Sequence, residues 1–218
     1  MGLLTRIRAT RRRRAKEEAE LRFWRGRALG EGGLLGPGAG ESFFCEQFGL
    51  DPSFYEGKRI LDVGCGPRGS LEWADMAADR VGLDPLATSY RELGIDRHAM
   101  TYVTAPAERM PFPDRHFDVV SSFNSLDHVD DAEKAVGEIT RVARPGGSWL
   151  IAVEADAPPT ATEPQTIPWD FLEKLDCWAA ESTRRIALRA DHDVYRSWAE
   201  GIAWVEGPGL LIGRLTRL

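Results

Sequence analysis

The chain has 218 residues, 43% of them hydrophobic and 28% charged, and a net charge of −6 at pH 7. This length and balance are typical of one globular domain with a small appendage. No apolar run approaches the roughly 18 residues of a membrane span. The three scattered cysteines form neither a disulfide framework nor a zinc motif. We therefore expect a cytoplasmic protein with no membrane span and no bound metal.

Basic residues are concentrated at the start of the chain. Residues 1–16 contain seven arginine and lysine side chains and no acidic one. We interpret them as a flexible basic arm, with contact to a nucleic acid or to anionic lipid as the alternative. One basic arm on an acidic body, without interleaved aromatic residues, does not predict a nucleic-acid-binding protein.

Residues 17–57 are predicted to form an N-terminal helical segment. A helix over residues 15–29 would place three apolar side chains on one face. These are Leu21, Trp24 and Ala28. Six glycines and a proline between Gly30 and Gly40 then predict a hinge or loop, and the pattern over residues 42–49 favours a short helix.

Residues 58–218 alternate short apolar strands with helices, which predicts an α/β fold with a parallel sheet covered on both faces. The predicted strands are residues 59–63, 80–83, 101–104, 117–123, 149–153, 184–188 and 210–215. The predicted helices are residues 70–78, 85–93 and 169–180, and one that Asp130 caps and Pro145-Gly146-Gly147 ends.

The segment from Ile60 to Gly69 joins a strand to a glycine-rich turn. Gly64, Gly66 and Gly69 satisfy the spacing G-x-G-x-x-G, and Asp84 ends the next strand 20 residues after the first glycine. Glycines let a nucleotide approach the backbone, and the later acid suits ribose hydroxyls. On this pattern alone, an NAD-dependent oxidoreductase is a real alternative.

Asp62 argues against a dinucleotide, because it stands two residues before the first glycine, at the strand tip where the ligand must lie. A pyrophosphate there would be repelled by the carboxylate. S-adenosylmethionine carries an ammonium, a sulfonium and a ribose but no phosphate. The position of Asp62 suits its cationic methionine end, and Asp84 suits its ribose diol.

These motifs resemble the class I S-adenosylmethionine-dependent methyltransferases, in particular their small-molecule, ubiquinone-biosynthesis-like branch. The resemblance covers roughly residues 58–153 and follows the order of the family's motifs. The segments that carry it are Ile60–Gly69, Val81–Asp84, Ala105–Asp114, Phe117–Val120 and Arg141–Gly147. It implies a Rossmann-like, doubly wound sheet of seven strands, mostly parallel with an antiparallel last strand. The N-terminal helix is then expected to be a lid over the acceptor side.

Matched residue by residue, the resemblance implies which residues bind S-adenosylmethionine. Asp62 would hold the ammonium and Asp84 the ribose hydroxyls, while Asn124 would lie near the sulfonium. The full implied set is Asp62, Gly64, Cys65, Gly66, Asp84, Pro85, Leu86, Ala107, Glu108 and Asn124. Pro106 stands where family members often have an aspartate that holds the adenine amino group, and Glu108 is a candidate substitute.

Two residues after the fourth strand are candidate catalytic groups. Asp127 and His128 follow that strand by a few residues, and a neutral histidine there would accept a proton from the methyl acceptor. Glu154, at the tip of the fifth strand, is a third candidate base. In the alternative interpretation, Asp127 or Asp130 has only a structural role and caps the following helix.

The predicted function is methyl transfer from S-adenosylmethionine to a small-molecule acceptor, on oxygen or nitrogen and with carbon as a further option. The alternatives are the NAD-dependent oxidoreductase and a methyltransferase-like protein that binds the cofactor or a partner subunit without turnover. The sequence leaves the oligomeric state open, with a homodimer as one option.

Overall fold

The computed structural model describes residues 3–36 and 40–218, with side chains from Thr10 onward. Within this part of the chain, no helix is both long and apolar enough to cross a membrane.

The described residues contain one seven-stranded sheet with the strand order β3-β2-β1-β4-β5-β7-β6. The strands are β1 (Arg59–Val63), β2 (Asp79–Leu83), β3 (Thr101–Val103), β4 (Phe117–Phe123), β5 (Ala143–Ala155), β6 (Trp178–Ala187) and β7 (Gly209–Arg217). The first five strands are mutually parallel, and β7 runs antiparallel to both of its neighbours, β5 and β6. This topology confirms the predicted α/β fold with an antiparallel last strand.

Four α-helices lie in the same part of the chain. They are α1 (Leu3–Gly30), α2 (Gly40–Phe44), α3 (Ala132–Val142) and α4 (Val194–Glu200). Short 3₁₀ turns cover Glu46–Phe48, Pro52–Tyr55, Ser89–Leu93, Ile95–Arg97 and Leu172–Lys174.

Strand β5 separates the core into two layers, because successive side chains of a strand point to opposite faces. Trp149, Ile151 and Val153 pack on the face that α3 covers. Leu150 and Ala152 pack on the other face, among the aromatic side chains of α2 and α4. Since β5 is buried on both faces, it holds the centre of the sheet and fixes the position of its carboxyl end.

Three helix predictions were wrong in type. Residues 70–78 form successive turns, in which the N–H groups of Glu72 and Ala74 donate to carbonyls three residues earlier. The helix predicted over residues 85–93 is a turn followed by the 3₁₀ segment at Ser89–Leu93. In the region 169–180 only a 3₁₀ turn forms, because Trp178 begins β6 and pairs with β7.

The limits of α3 also differ from the prediction. Asp131, not Asp130, caps the helix by accepting from the N–H of Lys134 at 3.1 Å. The helix ends at Val142, and β5 begins at Ala143, so the Pro-Gly-Gly sequence lies inside the strand and not at a helix end.

Helix α1 is longer than predicted. It begins at Leu3, so residues 3–16 are helical where the sequence predicted an irregular basic arm. The glycine-rich stretch that follows is held against the sheet domain. Buried Leu35 donates its N–H to the carbonyl of Leu93, and Arg68 pairs with Glu31. Residues 37–39 of the predicted hinge lie outside the described residues.

Candidate functional site

The candidate site lies where the carboxyl ends of β1, β2, β4 and β5 meet, which is the edge at which open α/β sheets bind ligands. Asp62 in β1 lies opposite Gly82 in β2 and Ser121 in β4. Because the register is continuous, the residues that follow these strands are brought to the same edge. The predicted cofactor-binding and catalytic residues therefore share one edge of the sheet.

Asp62 is buried with only 3% of its surface exposed. Its two carboxylate oxygens accept hydrogen bonds from the hydroxyls of Ser70, at 2.5 Å, and Ser121, at 2.6 Å. Burial raises the pKa of Asp62 to about 6, although the two hydroxyls oppose the shift. No cation among the described residues pairs with this carboxylate, so it is able to accept a cationic ligand.

Asp84 follows β2 and is 7% exposed. It accepts hydrogen bonds from the backbone N–H of Gly66, at 3.1 Å, and of Leu86, at 2.8 Å. Burial raises its pKa to about 6, and the charge of Glu20 on α1 adds to the shift. Since each carboxylate oxygen has a second lone pair, Asp84 retains acceptors for a pair of hydroxyls.

Neighbouring side chains leave little room for a Cβ at two positions of the glycine turn. Gly64 has φ +72°, and a Cβ there would collide with the side chain of Ser125. Gly66 has φ +58°, and a Cβ there would lie 3.3 Å from Cζ2 of Trp24. The side chain of Cys65, which the sequence placed among the cofactor contacts, packs against Gly82 inside the sheet. Only its backbone is left to face a ligand.

Asn124 directly follows β4 and adopts the left-handed conformation, with φ 48°. Its N–H donates to the carbonyl of Ala152 at 2.7 Å, which ties it to β5. Its buried Oδ1 atom has no hydrogen-bond partner. A strained backbone and an unpartnered amide oxygen at the sheet edge are typical of a ligand-facing residue.

The remaining predicted cofactor residues differ in their surroundings. Leu86 is buried in a cluster that Leu21 and Trp24 of α1 pack against, Pro85 is exposed, and Ala107 is buried. Glu108 contacts protein backbone instead of an open site. Its Oε1 accepts from the N–H groups of residues 130 and 131, at 2.7 and 3.1 Å, which fixes the start of α3.

Helix α1 lies across the cofactor side of the edge. Lys16 donates to the carbonyl of His128 at 2.7 Å, beyond β4. One turn further along α1, Glu20 lies close enough to raise the pKa of Asp84. Another turn on, the Trp24 ring covers Gly66. The helix therefore extends from the end of β4 to the end of β2 and covers the glycine turn, whereas the sequence predicted a lid over the acceptor side.

Acidic and histidine side chains gather on the other side of the edge, beyond β4 and β5. Asp127 is 3% exposed, and His128 Nε2 lies 3.7 Å from Glu163 Oε1. No hydrogen bond joins the side chains of Asp127 and His128 in the described structure, so the predicted pair is not preassembled. Burial and the charges of Asp127 and Glu163 raise the pKa of Glu154 to about 7.

Sequence reasoning missed three contributors to this site. Ser70 and Ser121 hold Asp62, and Glu163 faces His128. The sequence does contain a signal for Ser121, since a polar residue within the apolar run of β4 needs a buried hydrogen-bond partner. Glu163 had none, because it lies in a proline-rich loop whose fold over the site depends on distant contacts.

Residues 61–151 match the sequence model of a family described as a methyltransferase domain. A ubiquinone biosynthesis O-methyltransferase from Rhizobium rhizogenes is 36% identical over 121 residues, which are 50% of this chain and 47% of that protein. The chloroplastic tocopherol O-methyltransferase of Arabidopsis thaliana is 34% identical over 128 residues, which are 54% of this chain and 37% of that protein. The chain thus spans less than half the length of these relatives.

Solved structures share the fold. An S-adenosylmethionine-dependent methyltransferase from Mesorhizobium loti aligns with a TM-score of 0.56 and 19% identity, over 75% of this chain and 92% of that one. The cyclase SpnF aligns with a TM-score of 0.56 and 22% identity, over 79% and 78%. At these identities the likeness establishes the fold alone, and a fold hosts more than one chemistry.

Together, the family match and the curated relatives confirm the resemblance to class I small-molecule methyltransferases and S-adenosylmethionine as the cofactor of this domain. They give no support to the oxidoreductase or non-catalytic alternatives. The roles of individual site residues remain predictions.

Replacing Asp62 with asparagine should stabilise the cofactor-free protein at high pH. Because the folded-state pKa of about 6 lies above the unfolded value, the folded state binds the extra proton, and stability is lost as pH rises from about 4 to 6. The Asp62→Asn variant lacks this loss. Its unfolding free energy relative to wild type should grow by up to about 3 kcal/mol between pH 4 and pH 8, measured by urea denaturation.

The exposed Asp75→Asn variant is the matched control and should show no such trend. A stability difference for Asp62→Asn that stays flat or shrinks as pH rises would contradict the assignment of a buried, costly carboxylate.

Proposed function

We propose that this protein transfers the methyl group of S-adenosylmethionine to a small-molecule acceptor. The observation that carries the proposal is the pair of buried carboxylates, Asp62 and Asp84, on either side of the glycine turn. A ligand with a cation at one end and a ribose diol at the other matches this pair, whereas a pyrophosphate would be repelled.

The chain's own residues bind and orient the cofactor in this proposal. Asp62 receives the ammonium group while the hydroxyls of Ser70 and Ser121 keep its carboxylate in place. Asp84 receives the ribose hydroxyls and is itself fixed by the backbone of the glycine turn. Asn124, whose Oδ1 has no partner in the described structure, would lie near the sulfonium.

The bound cofactor supplies a methyl group on a sulfonium, which is already a good leaving group. The protein therefore has to hold donor and acceptor in line and exclude water. An acceptor oxygen or a protonated acceptor nitrogen must also lose a proton. His128 and Glu154 are the candidates for this role, since His128 follows β4, Glu154 lies near the end of β5, and the pKa of Glu154 is about 7.

Helix α1 acts as a lid in this proposal. Its contacts with the domain include Lys16 at the β4 tip and an ion pair between Arg25 and Glu92 at 2.7 Å. Because Trp24 lies on Gly66, where the cofactor has to approach the backbone, α1 must move for the cofactor to enter. Closure over the bound cofactor would then exclude water.

The proposal extends to the acceptor and the location. The names of the curated relatives refer to tocopherol, sterols and ubiquinone biosynthesis, so a small organic acceptor is expected. A cytoplasmic location is supported by free Cys45, Cys65 and Cys177. For the oligomeric state, a homodimer is one option.

S-adenosylmethionine and S-adenosylhomocysteine should raise the melting temperature, because a ligand that binds only the folded state stabilises it by mass action. NAD should not. Differential scanning fluorimetry with each compound at the same concentration tests this. Stabilisation by NAD without stabilisation by S-adenosylmethionine would overturn the proposal.

Removing the lid's indole should speed cofactor exchange. Trp24→Ala removes the ring that covers Gly66, so S-adenosylhomocysteine should both associate and dissociate at least severalfold faster in stopped-flow binding. Phe23→Ala is the matched control, since Phe23 is the neighbouring aromatic residue and is 51% exposed. Unchanged rates in Trp24→Ala would argue that α1 does not gate entry.

His128→Ala should lower turnover by roughly 10²–10⁴-fold if His128 accepts the acceptor's proton, with the affinity for S-adenosylhomocysteine nearly kept. The control is His116→Ala, at the opposite edge of the sheet before β4. Full turnover in His128→Ala would remove His128 from proton transfer and leave Glu154 as the remaining base.

A further inference from the structure

Three carboxylates gather on the acceptor side without a matching cation. Asp127 follows β4, Glu154 lies near the end of β5, and Glu163 lies in the loop after β5. We call these three residues the acceptor-side acids. None of them forms an ion pair with a lysine or arginine in the described residues, whereas Glu31, Glu92, Asp114 and Asp118 each do.

The loop after β5 brings the acceptor-side acids together. The N–H of Gln165 donates to the carbonyl of Asp127 at 3.2 Å. Two residues further, Ile167 forms a parallel bridge with Ala155, the neighbour of Glu154. The loop is therefore fastened to both strand ends, and Glu163 is held beside His128 at 3.7 Å.

Asp127 is the strongest sign that this cluster binds a ligand. The residue is 97% buried, and its Oδ1 atom has no hydrogen-bond partner in the described structure. A buried carboxylate oxygen without a donor is costly. The cost is not offset by helix capping, because Asp131 caps α3. In the described residues, the arrangement does not meet the geometry of a metal site either.

The electrostatic environment of the cluster is acidic. Apart from burial, the groups that act on the pKa of Glu154 are the carboxylates of Asp127 and Glu163, which raise it, and two histidines, His192 and His128, which lower it. Lys16 lies nearby but is already engaged by Asp130 and a backbone carbonyl. A cationic ligand would relieve the repulsion among the acids, whereas an anionic ligand would add to it.

We propose that the methyl acceptor carries a basic nitrogen, which is held by Asp127, Glu154 and Glu163. This inference rests on the proposed function and names its substrate class. It assigns the three acids to acceptor binding and selects amines over alcohols and carboxylates of the same shape.

Matched probes test the charge preference directly. Tryptamine, tryptophol and indole-3-propionate share one ring system and differ in a side chain that ends in an ammonium, a hydroxyl or a carboxylate. Phenethylamine, phenethyl alcohol and hydrocinnamate repeat the comparison on a smaller ring. Binding of each to the full-length protein with saturating S-adenosylhomocysteine is measured by titration calorimetry at pH 7.5.

We expect each amine to bind at least about tenfold more tightly than its alcohol, as a charge-assisted hydrogen bond allows, and the carboxylates to bind most weakly. Asp127→Asn and Glu154→Gln should each remove most of that preference. Glu56→Gln, an exposed acid before β1, is the control and should keep it. Circular dichroism checks that the variants fold, and Glu154→Gln carries the test if Asp127→Asn does not.

Amines that bind no better than their alcohols on both scaffolds, or not at all, overturn the inference. So does a preference that survives in folded Glu154→Gln and Asp127→Asn. The binding of S-adenosylhomocysteine itself is read separately. If it binds and the amine preference is absent, only the acceptor class is wrong, whereas failure of S-adenosylhomocysteine to bind contradicts the proposed function as well.

Discussion

The carboxylates of Asp62 and Asp84 lie at neighbouring strand tips, nearly out of contact with water, and uncharged donors hold both. Transferring a carboxylate out of water is expensive unless a charge or several hydrogen bonds compensate it. Serine hydroxyls and backbone N–H groups compensate only part of the cost, so the pKa of each rises to about 6. The two buried carboxylates therefore destabilise the cofactor-free protein, and a cationic ligand bound beside them would offset this cost.

The position of α1 follows from the same constraint. The helix places Trp24 over Gly66 and thereby helps to bury Asp84, which makes the carboxylate costly in the closed state without cofactor. Glu20, on the same helix, adds like-charge repulsion. The contacts of Lys16 and Arg25 with the sheet domain oppose these two unfavourable contributions and stabilise the position of the helix. In the proposed function, where α1 is a lid, these unfavourable contributions would assist its opening, and a cation bound beneath it would stabilise the closed position.

The sequence predicted those parts of the molecule whose determinants are local. Strands β1 and β4 were placed correctly, because their apolar runs and the glycine turn are readable within a few residues. The region 169–180 was not, because the spacing of Leu172, Leu175 and Trp178 also fits a helix. Its actual state depends on pairing with β7 and on the bond from Trp178 Nε1 to Thr140, 38 residues away.

In the candidate site, too, the features with local determinants were predicted and those that depend on long-range contacts were not. Asp62, Asp84 and Asn124 were predicted because each follows or ends a strand at a fixed place in a motif. The contact of α1 with the glycine turn and the approach of Glu163 to His128 were not predicted, since they join segments far apart in the chain. Glu108 lay in a recognisable motif, yet its carboxylate fixes the start of α3. A motif therefore gives the position of a residue, and the packing around it decides what the side chain contacts.

The two sides of the edge differ in the charge they would meet during the proposed reaction. Asp62 belongs to β1, on the cofactor side, and the acceptor-side acids lie near or after the ends of β4 and β5. A bound ammonium must first give its proton to a base, the role proposed for His128. Transfer of the methyl group from the sulfonium to the resulting neutral nitrogen then moves one positive charge from the first side to the second. Asp127, Glu154 and Glu163 lie where that charge would arrive, so they would stabilise the product side of the reaction as charge develops. An acceptor without a basic nitrogen would leave the charges of the three carboxylates uncompensated both before and after methyl transfer. Their lack of a cationic partner is therefore an argument about the chemical class of the acceptor as well as about stability.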